Sequence, residues 1–229
     1  MQISRLHIIY QNRSLVDIGF HIDSSLALVG QSGSGKSLTI KALLNILPHD
    51  MKLTLQIQSD FDLIAGKSVG FVPQNPFTAL SPLTKIKDQF FVSHERVLEL
   101  LEQVGLEETL LHRYPPELSG GQLQRMIIAM ALSMQPRLLL LDEPTTALDP
   151  TTRANIIRLL EKLQKTMQFT MLFVTHDINS AKLLCKDICV IKDGRVVESG
   201  KTVQIMQYPQ NIYTKTLIEA NFTNRNFRE

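Results

Sequence analysis

The sequence has little cysteine, no long hydrophobic run and almost no net charge. Two cysteines, Cys185 and Cys189, are too few for a disulfide scaffold and indicate a reducing compartment. The formal charge of +2, from 24 Lys and Arg against 22 Asp and Glu, gives no bulk attraction to nucleic acid, which we do not expect as a partner. The best apolar stretch, residues 126–134, is less than half the roughly 20 residues that a membrane span needs. The N-terminus also turns polar too early for a signal peptide. Any link to a membrane should therefore run through another protein.

What the sequence does contain is enough apolar residues, 44% of 229, to build the core of one domain. Short apolar runs alternate with helical patterns, which is typical of a parallel α/β sheet. The patterns predict strands at 26–29, 69–72, 138–141 and 169–174, a hairpin pairing 188–191 with 195–198, and helices at 37–47, 95–104 and 121–134. No strand signal occurs between Pro76 and Gln135, so we expect a helical subdomain inserted there.

A glycine-rich loop carries the strongest chemical signal. The run Gly30-Gln31-Ser32-Gly33-Ser34-Gly35-Lys36-Ser37 fits the phosphate-binding pattern G-x-x-x-x-G-K-[ST] in full. It follows a predicted strand and opens a predicted helix, whose N-terminus attracts anions. We expect its backbone N–H groups, Leu38 included, to surround phosphate oxygens, Lys36 to neutralise them and the Ser37 hydroxyl to bind Mg²⁺. The motif predicts a phosphate-bearing ligand with Mg²⁺, and the family resemblance described below implies that the cofactors are ATP and Mg²⁺.

Two adjacent carboxylates follow the apolar strand 138–141. Asp142 is placed to hold Mg²⁺, directly or through water, and Glu143 to orient and deprotonate an attacking water. The carboxyl ends of strands in an open α/β sheet are where ligands bind. A carboxylate pair taken alone is more often a helix cap or a solvated turn, and it is the phosphate-binding loop that favours the catalytic interpretation.

Further motifs resemble the ATP-binding cassette (ABC) ATPases. Leu118-Ser119-Gly120-Gly121-Gln122 looks like the family signature, at the start of a predicted helix. The other motifs follow in the family's order and cover nearly the whole chain: Gln74 is similar to the Q-loop, 147–149 to the D-loop with Asp149, His176 to the switch histidine, and Tyr10 to the adenine-stacking aromatic.

The resemblance implies a role for each of these residues. Ser119, Gly120, Gly121 and Gln122 would meet the γ-phosphate held by a facing subunit, in a head-to-tail dimer with ATP between the two chains. Gln74 would reach Mg²⁺ and the attacking water, His176 would contact the γ-phosphate, and Asp149 would act across the dimer interface. Without the resemblance, Ser119 and Gln122 read as a helix-capping box, which is compatible with that role. His176 then reads as a satisfied strand-end residue, and Tyr10 as a core or edge aromatic.

The fold that the resemblance implies is α/β, a P-loop NTPase core with an N-terminal antiparallel β subdomain and an inserted α-helical subdomain. We expect one domain over 1–229, with 1–75 and 136–220 as nucleotide-binding core, 76–135 as helical subdomain and 221–229 as a polar tail.

Three segments narrow the branch within the family. Residues 74–82 are similar to the Q-loop region of peptide and nickel importer ATPases, 208–217 to the tail of that branch, and 36–48 to one of its two ATPases. This implies an ATP-hydrolysing importer subunit, peripheral on the cytoplasmic face of the cell membrane. Its partners would be a second ATPase (a heterodimer, with a homodimer as the alternative), two integral membrane permease subunits and, indirectly, an extracellular substrate-binding protein. The sequence lacks the cysteine-bearing C-terminal extension of many peptide importers, which favours nickel or a metal–chelator complex over peptides as cargo.

Two other interpretations remain open on the sequence. One is a non-transport ABC ATPase for cofactor assembly or repair, and the other is a nucleotide-binding regulatory module without turnover. The intact Lys36, Asp142, Glu143, His176 and signature motif favour turnover over the second of these. For Cys185 and Cys189, which would lie one helical turn apart if their segment were helical, we expect packing rather than a metal site.

Overall fold

The computed structural model describes residues 1–146 and 148–223 of the chain. It divides into two compact units, one formed by 1–63 with the described residues from Thr170 onward, the other by Ile64–Phe169. The predicted subdomain boundaries at 75/76 and 135/136 remain a prediction, and of the predicted tail 221–229 the residues 224–229 lie outside the described part.

Nine β-strands lie within the described residues. In chain order they are β1 Gln2–Tyr10, β2 Arg13–His21, β3 Ser25–Val29, β4 Met51–Gln58, β5 Val69–Val72, β6 Leu138–Asp142, β7 Thr170–Thr175, β8 Asp187–Lys192 and β9 Arg195–Lys201.

Seven α-helices lie within the same residues. They are α1 Lys36–Leu43, α2 His94–Val104, α3 Gly120–Leu132, α4 Pro150–Met167, α5 Ile178–Leu184, α6 Thr202–Gln207 and α7 Ile212–Thr223, and short 3₁₀ helices lie at Pro76–Thr78, Ile86–Gln89, Glu108–His112 and Pro115–Glu117.

The first unit contains two sets of strands. Strands β2, β1 and β4 form an antiparallel sheet in that order, which confirms the predicted N-terminal antiparallel β subdomain. Strands β7, β3 and β8 run parallel, and β9 pairs antiparallel with β8. Strand β3 is buried along its whole length, as expected for a central parallel strand.

The predicted β8–β9 hairpin is confirmed, with its turn at Asp193 and Gly194. Asp193 and Gly194 have φ of 48° and 73°, the positive values of a two-residue type I′ turn. A Cβ on Gly194 would collide with the backbone carbonyl of Leu15 in β2. Glycine is therefore needed here both for the turn and for the close approach to β2.

The second unit is mainly helical. Strands β5 and β6 pair in parallel, with Val69 opposite Leu138 and Val72 opposite Leu141. Between residues 76 and 135, all of them described, the chain forms only helices and connecting loops, as predicted. Helix α3 packs on α2, and its buried side includes Leu123, Met126 and Ile128.

The end of helix α1 differs from the prediction. The apolar periodicity predicts a helix to Leu47, but α1 ends at Leu43 because Asn45 adopts a left-handed conformation with φ 57°. The Ile46 N–H donates to the Lys41 carbonyl at 2.9 Å and the Asn45 N–H to the Ala42 carbonyl at 3.1 Å. These are the two hydrogen bonds of a Schellman C-cap, in which the left-handed residue is usually Gly and sometimes Asn.

The two cysteines do not lie in one helix, and both pack in the core, as expected. Cys185 has extended backbone angles at the end of α5, and Cys189 lies in the middle of β8. Both thiols are buried and unpaired by disulfide. Burial raises the pKa of Cys189 to about 12, and burial with the nearby Asp187 carboxylate raises the pKa of Cys185 as well.

Because only the thiolate reacts with alkylating agents, both cysteines should be inert in the folded protein. We expect iodoacetamide at pH 8 to label Cys185 and Cys189 about a hundredfold more slowly in the native chain than after unfolding in urea. Mass spectrometry of tryptic peptides measures both rates, and rapid labelling of the native protein would contradict the burial of the thiols.

Among the described residues, none of the helices combines the length and apolar character needed to cross a bilayer.

Candidate functional site

The glycine-rich loop connects β3 to α1, as predicted. Gly33 and Gly35 have φ of 82° and 102°, values that residues with a Cβ rarely adopt. A Cβ on Gly35 would lie 2.6 Å from the Cγ2 of Val16, whereas a Cβ on Gly33 would meet nothing within 4 Å. The loop therefore packs tightly on one side and is open on the other, which leaves room for a ligand.

Lys36 lies in the hollow of this loop. Its ammonium donates to the carbonyls of Gly30 at 2.8 Å and Gln31 at 3.0 Å, and the residue is only 5% exposed. Helix α1 begins at Lys36, and its N-cap, Gly35, provides no side-chain cap. A buried cation beside an uncapped helix N-terminus fits a phosphate group.

Ser34 adds an unusual polar group to the loop. Its Oγ is buried and finds no hydrogen-bond partner within the described residues. The Ser34 carbonyl accepts a hydrogen bond from the Gly194 N–H at 3.1 Å, so the β8–β9 turn supports the loop. Sequence reasoning missed this role of Gly194, because the turn signal carries no information about what the turn contacts.

His176 follows β7 directly and is exposed. In the parallel pairing of β3 with β7, Val29 lies opposite Thr175. Gly30 and His176 therefore leave neighbouring strands at the same edge of the sheet, as a contact with the same phosphate group would require.

The predicted carboxylates and Gln74 belong to the second unit. Val72 and Leu141 are opposite each other in β5 and β6, so Gln74 and Asp142 also emerge at one edge. The side-chain amide of Gln74 donates to Glu143 Oε2 at 3.4 Å, and the Thr146 hydroxyl donates to the same oxygen at 3.0 Å. The structure thus brings two of the predicted catalytic residues, Gln74 and Glu143, into contact.

Glu143 has a strained backbone. Its φ of 45° lies in the left-handed region, which is uncommon for a residue that is not glycine. Such conformations cost on the order of 1–3 kcal/mol and cluster at functional sites. The backbone strain indicates that Glu143 is a functional residue, independently of any sequence motif.

The predicted Mg²⁺ ligands are the Ser37 hydroxyl, the Gln74 amide and the Asp142 carboxylate. All three are hard oxygen donors, which Mg²⁺ prefers. The described residues contain no cluster of three His, Cys, Asp or Glu side chains that could hold a metal alone. Nucleotide-bound Mg²⁺ does not need one, because phosphates and water provide most of its ligands. The donor set therefore fits this metal.

The signature segment begins helix α3. Ser119 Oγ accepts the Gln122 N–H at 3.3 Å and Gln122 Oε1 accepts the Ser119 N–H at 2.9 Å, which confirms the predicted capping box. A Cβ on Gly121 would lie 2.8 Å from the Thr152 side chain, whereas one on Gly120 would be in ordinary contact with Leu148. The second glycine is therefore required for close packing against α4.

Asp149 lies beside this segment as the N-cap of α4. Its carboxylate accepts the N–H groups of Thr151 and Thr152, both at 3.0 Å. Hydrogen bonds from Thr152 and Thr151 lower the pKa of Asp149. This capping role is local and was not foreseen, and the predicted action across a dimer interface stays a prediction. Ala147, the first residue of the predicted D-loop, lies outside the described residues.

The remaining predicted contacts are with the nucleotide itself and stay predictions. Tyr10 ends β1, half-buried, and its hydroxyl accepts a hydrogen bond from the Gln11 side chain at 3.0 Å. Gln31, Ser32 and Ser37 are exposed in or beside the loop, and Leu38 is half-buried.

One loop contact was not foreseen at all. The Gln31 N–H donates to the hydroxyl of Tyr213 in helix α7 at 3.0 Å. In the sequence, the segment around Tyr213 is recognisable only as a marker of the family branch. Nothing in the sequence could have indicated a contact across 182 residues.

Comparison with known proteins identifies the family. The ABC transporter family profile matches residues 15–146. The chain is 40% identical over 224 residues to the peptidoglycan transport ATP-binding protein YejF of Agrobacterium fabrum, and 35% identical over 232 residues to the oligopeptide transport ATP-binding protein OppD of Bacillus subtilis. These alignments cover 85% and 89% of this chain but 41% and 65% of the relatives.

Another relative is the glutathione import ATP-binding protein GsiA of Salmonella typhimurium, 36% identical over 86% of this chain and 37% of its own length. The chain thus spans less than two thirds of the length of the curated relatives it matches.

Solved structures agree with the fold. cbiO1 from Clostridium perfringens, part of the ABC transporter complex cbiONQ, superimposes with a TM-score of 0.75 at 26% identity, covering 99% of this chain and 98% of its own. A dimeric ATP-binding cassette in a post-hydrolysis state, bound to ADP and Pi, gives 0.70 at 30% identity, covering 88% and 98%. The predicted fold is confirmed, and the chain belongs to the ABC transporter family.

Proposed function

We propose that this chain is the ATP-hydrolysing subunit of an ABC importer, which powers uptake through partner membrane subunits. The observation that carries the proposal is the buried Lys36 ammonium in the hollow of a loop whose glycines have positive φ. The ammonium donates to two carbonyls of the loop itself, so its positive charge lies where the loop and the N-terminus of α1 would meet a phosphate. The triphosphate of ATP would supply the negative charge that such a site attracts.

The residues of this chain divide the chemistry of hydrolysis between them. Lys36 neutralises the outer phosphates. Ser37, Gln74 and Asp142 would hold Mg²⁺, which would supply positive charge to the phosphates. Glu143 orients and deprotonates the attacking water, with Gln74 and His176 in support. Because the Gln74 amide contacts the Glu143 carboxylate, we infer that a movement of the Q-loop would change the position of this base.

A dimer completes this mechanism. Ser119 to Gln122 start helix α3, and the dipole at its N-terminus favours a negatively charged group. We infer that this segment faces the γ-phosphate of the opposite subunit, in a heterodimer or, as the alternative, a homodimer. The solved cassette bound to ADP and Pi is dimeric.

An apolar groove in the second unit supports the proposal that the chain binds a membrane subunit. It has a volume of about 710 Å³ and is lined largely by apolar residues, among them Phe71, Leu80, Phe90, Met130 and Met134. At its edge Phe91 is 91% exposed. Exposed aromatic side chains around an apolar groove are typical of interaction sites. We assign the groove to a cytoplasmic helix of a permease subunit, which would place the chain at the cytoplasmic face of the membrane.

The cargo that we propose is a peptide or a related compound, delivered by a substrate-binding protein. The names of the three relatives above refer to peptidoglycan transport, oligopeptide transport and glutathione import, and none of them mentions nickel. Nickel or a metal–chelator complex stays the second candidate, on the sequence pattern alone.

Pull-down of the tagged chain from detergent-solubilised native membranes tests the proposal. We expect mass spectrometry to identify two integral membrane subunits and a second ATPase. Recovery without any integral membrane protein would contradict the importer and favour a non-transport ABC ATPase of cofactor assembly or repair. A binding protein encoded with the recovered subunits can then be titrated with peptides and with nickel.

The groove predicts the effect of one surface change on this pull-down. Phe91→Asp should lower recovery of the membrane subunits about tenfold or more, because a charge replaces an exposed aromatic anchor, while nucleotide binding stays within twofold. Leu183→Asp is the matched control, since Leu183 is also exposed, at 65%, but lies on α5 in the first unit. Equal recovery with both variants would remove the groove as the docking site.

A further inference from the structure

We propose that Tyr213 is a positioning residue of the phosphate loop, through which helix α7 sets the affinity of the chain for nucleotide. The inference rests on the proposed function, because it concerns the same loop. It adds a residue, distant in sequence, that holds the loop in its binding shape before nucleotide arrives.

The first observation is the set of hydrogen bonds made by the backbone N–H and the backbone carbonyl of Gln31. Its N–H donates to the Tyr213 hydroxyl at 3.0 Å. Its carbonyl accepts from the Lys36 ammonium at 3.0 Å and from the Ser34 N–H at 3.2 Å. Gln31 is the first residue after Gly30, where the chain leaves β3 and bends into the loop. Tyr213 therefore holds one side of this bend, and the loop's own groups hold the other.

The second observation is how firmly the start of α7 is attached. The Glu198 carboxylate on β9 accepts the N–H of Gln210 at 2.7 Å and of Asn211 at 3.1 Å. Asn211 Oδ1 in turn accepts the Tyr213 N–H at 2.8 Å. Although burial opposes it, these hydrogen bonds lower the pKa of Glu198. The backbone that carries Tyr213 is thus tied to a strand of the same unit.

The third observation concerns the ring itself. The Lys192 ammonium, at the end of β8, lies 5.1 Å from the centroid of the Tyr213 ring. At this distance the cation is attracted to the face of the ring. Backbone and ring are therefore both held, which leaves the hydroxyl directed at Gln31.

A loop that is already shaped loses less conformational entropy when it binds a ligand. Removal of the Tyr213 hydroxyl leaves the Gln31 N–H without this acceptor and frees the first bend. A neutral hydrogen bond of this kind corresponds to about a threefold to tenfold change in an equilibrium constant. The effect should fall on nucleotide binding and not on the chemical step, because the hydroxyl, the N–H and the ring of Tyr213 contact Gln31, Asn211 and Lys192 respectively.

The test is Tyr213→Phe, which keeps the ring and its contact with Lys192 and removes only the acceptor. We expect hydrogen exchange at the Gln31 amide, followed by NMR without nucleotide, to accelerate about threefold to tenfold. The Kd for a fluorescent ATP analogue and the KM for ATP should rise by a similar factor, while kcat stays within twofold. Tyr208→Phe is the control, because Tyr208 lies in the same segment but is 69% exposed. It should change none of these quantities.

Two outcomes would overturn the inference. One is unchanged Gln31 exchange in Tyr213→Phe, which excludes the positioning role whatever happens to nucleotide. The other is faster exchange with unchanged nucleotide Kd and KM, which means that the contact is structural only. Failure of the proposed function looks different: the wild-type chain itself would not bind the ATP analogue.

Discussion

Changing Glu143 to glutamine should lower the rate of ATP hydrolysis about a hundredfold to ten-thousandfold while ATP still binds. The range is the usual contribution of a general base. Glutamine has nearly the same shape and can still accept the hydrogen bond from Thr146 at its amide oxygen, so the loop geometry should persist. Only the ability to take a proton from water is lost. Single-turnover hydrolysis and titration with a fluorescent ATP analogue measure the two quantities separately.

A matched control separates this effect from a general change of charge. Glu161→Gln also neutralises a carboxylate in the second unit, on α4, where Glu161 pairs with Lys165 along the helix surface. It should leave hydrolysis within twofold, because exposed pairs of this kind contribute little. Normal turnover by Glu143→Gln would remove Glu143 from the role of base and leave its backbone strain without a catalytic explanation.

Changing Lys36 to alanine should raise the Kd for ATP about tenfold to a hundredfold, with loss of hydrolysis at ordinary ATP concentrations. Charge-assisted hydrogen bonds are worth about 1.5–3 kcal/mol each, and a factor of ten in affinity corresponds to about 1.4 kcal/mol. In the absence of nucleotide the ammonium is held by the Gly30 and Gln31 carbonyls. It must exchange these partners for phosphate oxygens, so the net loss stays below that of a fully free charge.

The control for this change is Lys41→Ala. Lys41 lies on the same helix, α1, but is exposed in its last turn. Both variants remove one positive charge from α1, and only Lys36→Ala should weaken binding. Thermal denaturation in the absence of nucleotide shows whether either variant has lost its fold. Equal ATP affinity of a folded Lys36→Ala variant and the wild type would contradict the phosphate-binding role of the loop.

Several parts of the site were predictable because their determinants are local. The phosphate loop needs glycines at fixed positions, and Gly33 and Gly35 indeed have positive φ. The capping box of Ser119 and Gln122 involves residues three apart, and the turn at Asp193 and Gly194 involves two neighbours. In each of these cases the conformation depends on the residues of the segment itself, so the sequence pattern suffices.

Other parts were mispredicted or missed because competing local or distant groups decide them. Apolar periodicity predicts an α1 that is too long at its C-terminal end, because Asn45 adopts a left-handed conformation that periodicity does not detect. The spacing of Cys185 and Cys189 left open whether they share a helix, and the structure shows that the chain leaves α5 and enters β8 between them. The positive φ of Glu143 could not be read from a glutamate, which disfavours that conformation on its own.

By itself, the sequence determined the phosphate loop, the strand before it and the helix after it, and the family to which the chain belongs, because these follow from residue types at short fixed spacings. Only the tertiary structure decided which distant groups support the loop: Gly194 at the Ser34 carbonyl and Tyr213 at the Gln31 N–H. Such contacts depend on how strands and helices pack, and a single hydrogen bond between segments far apart in the chain has no periodicity or spacing of its own.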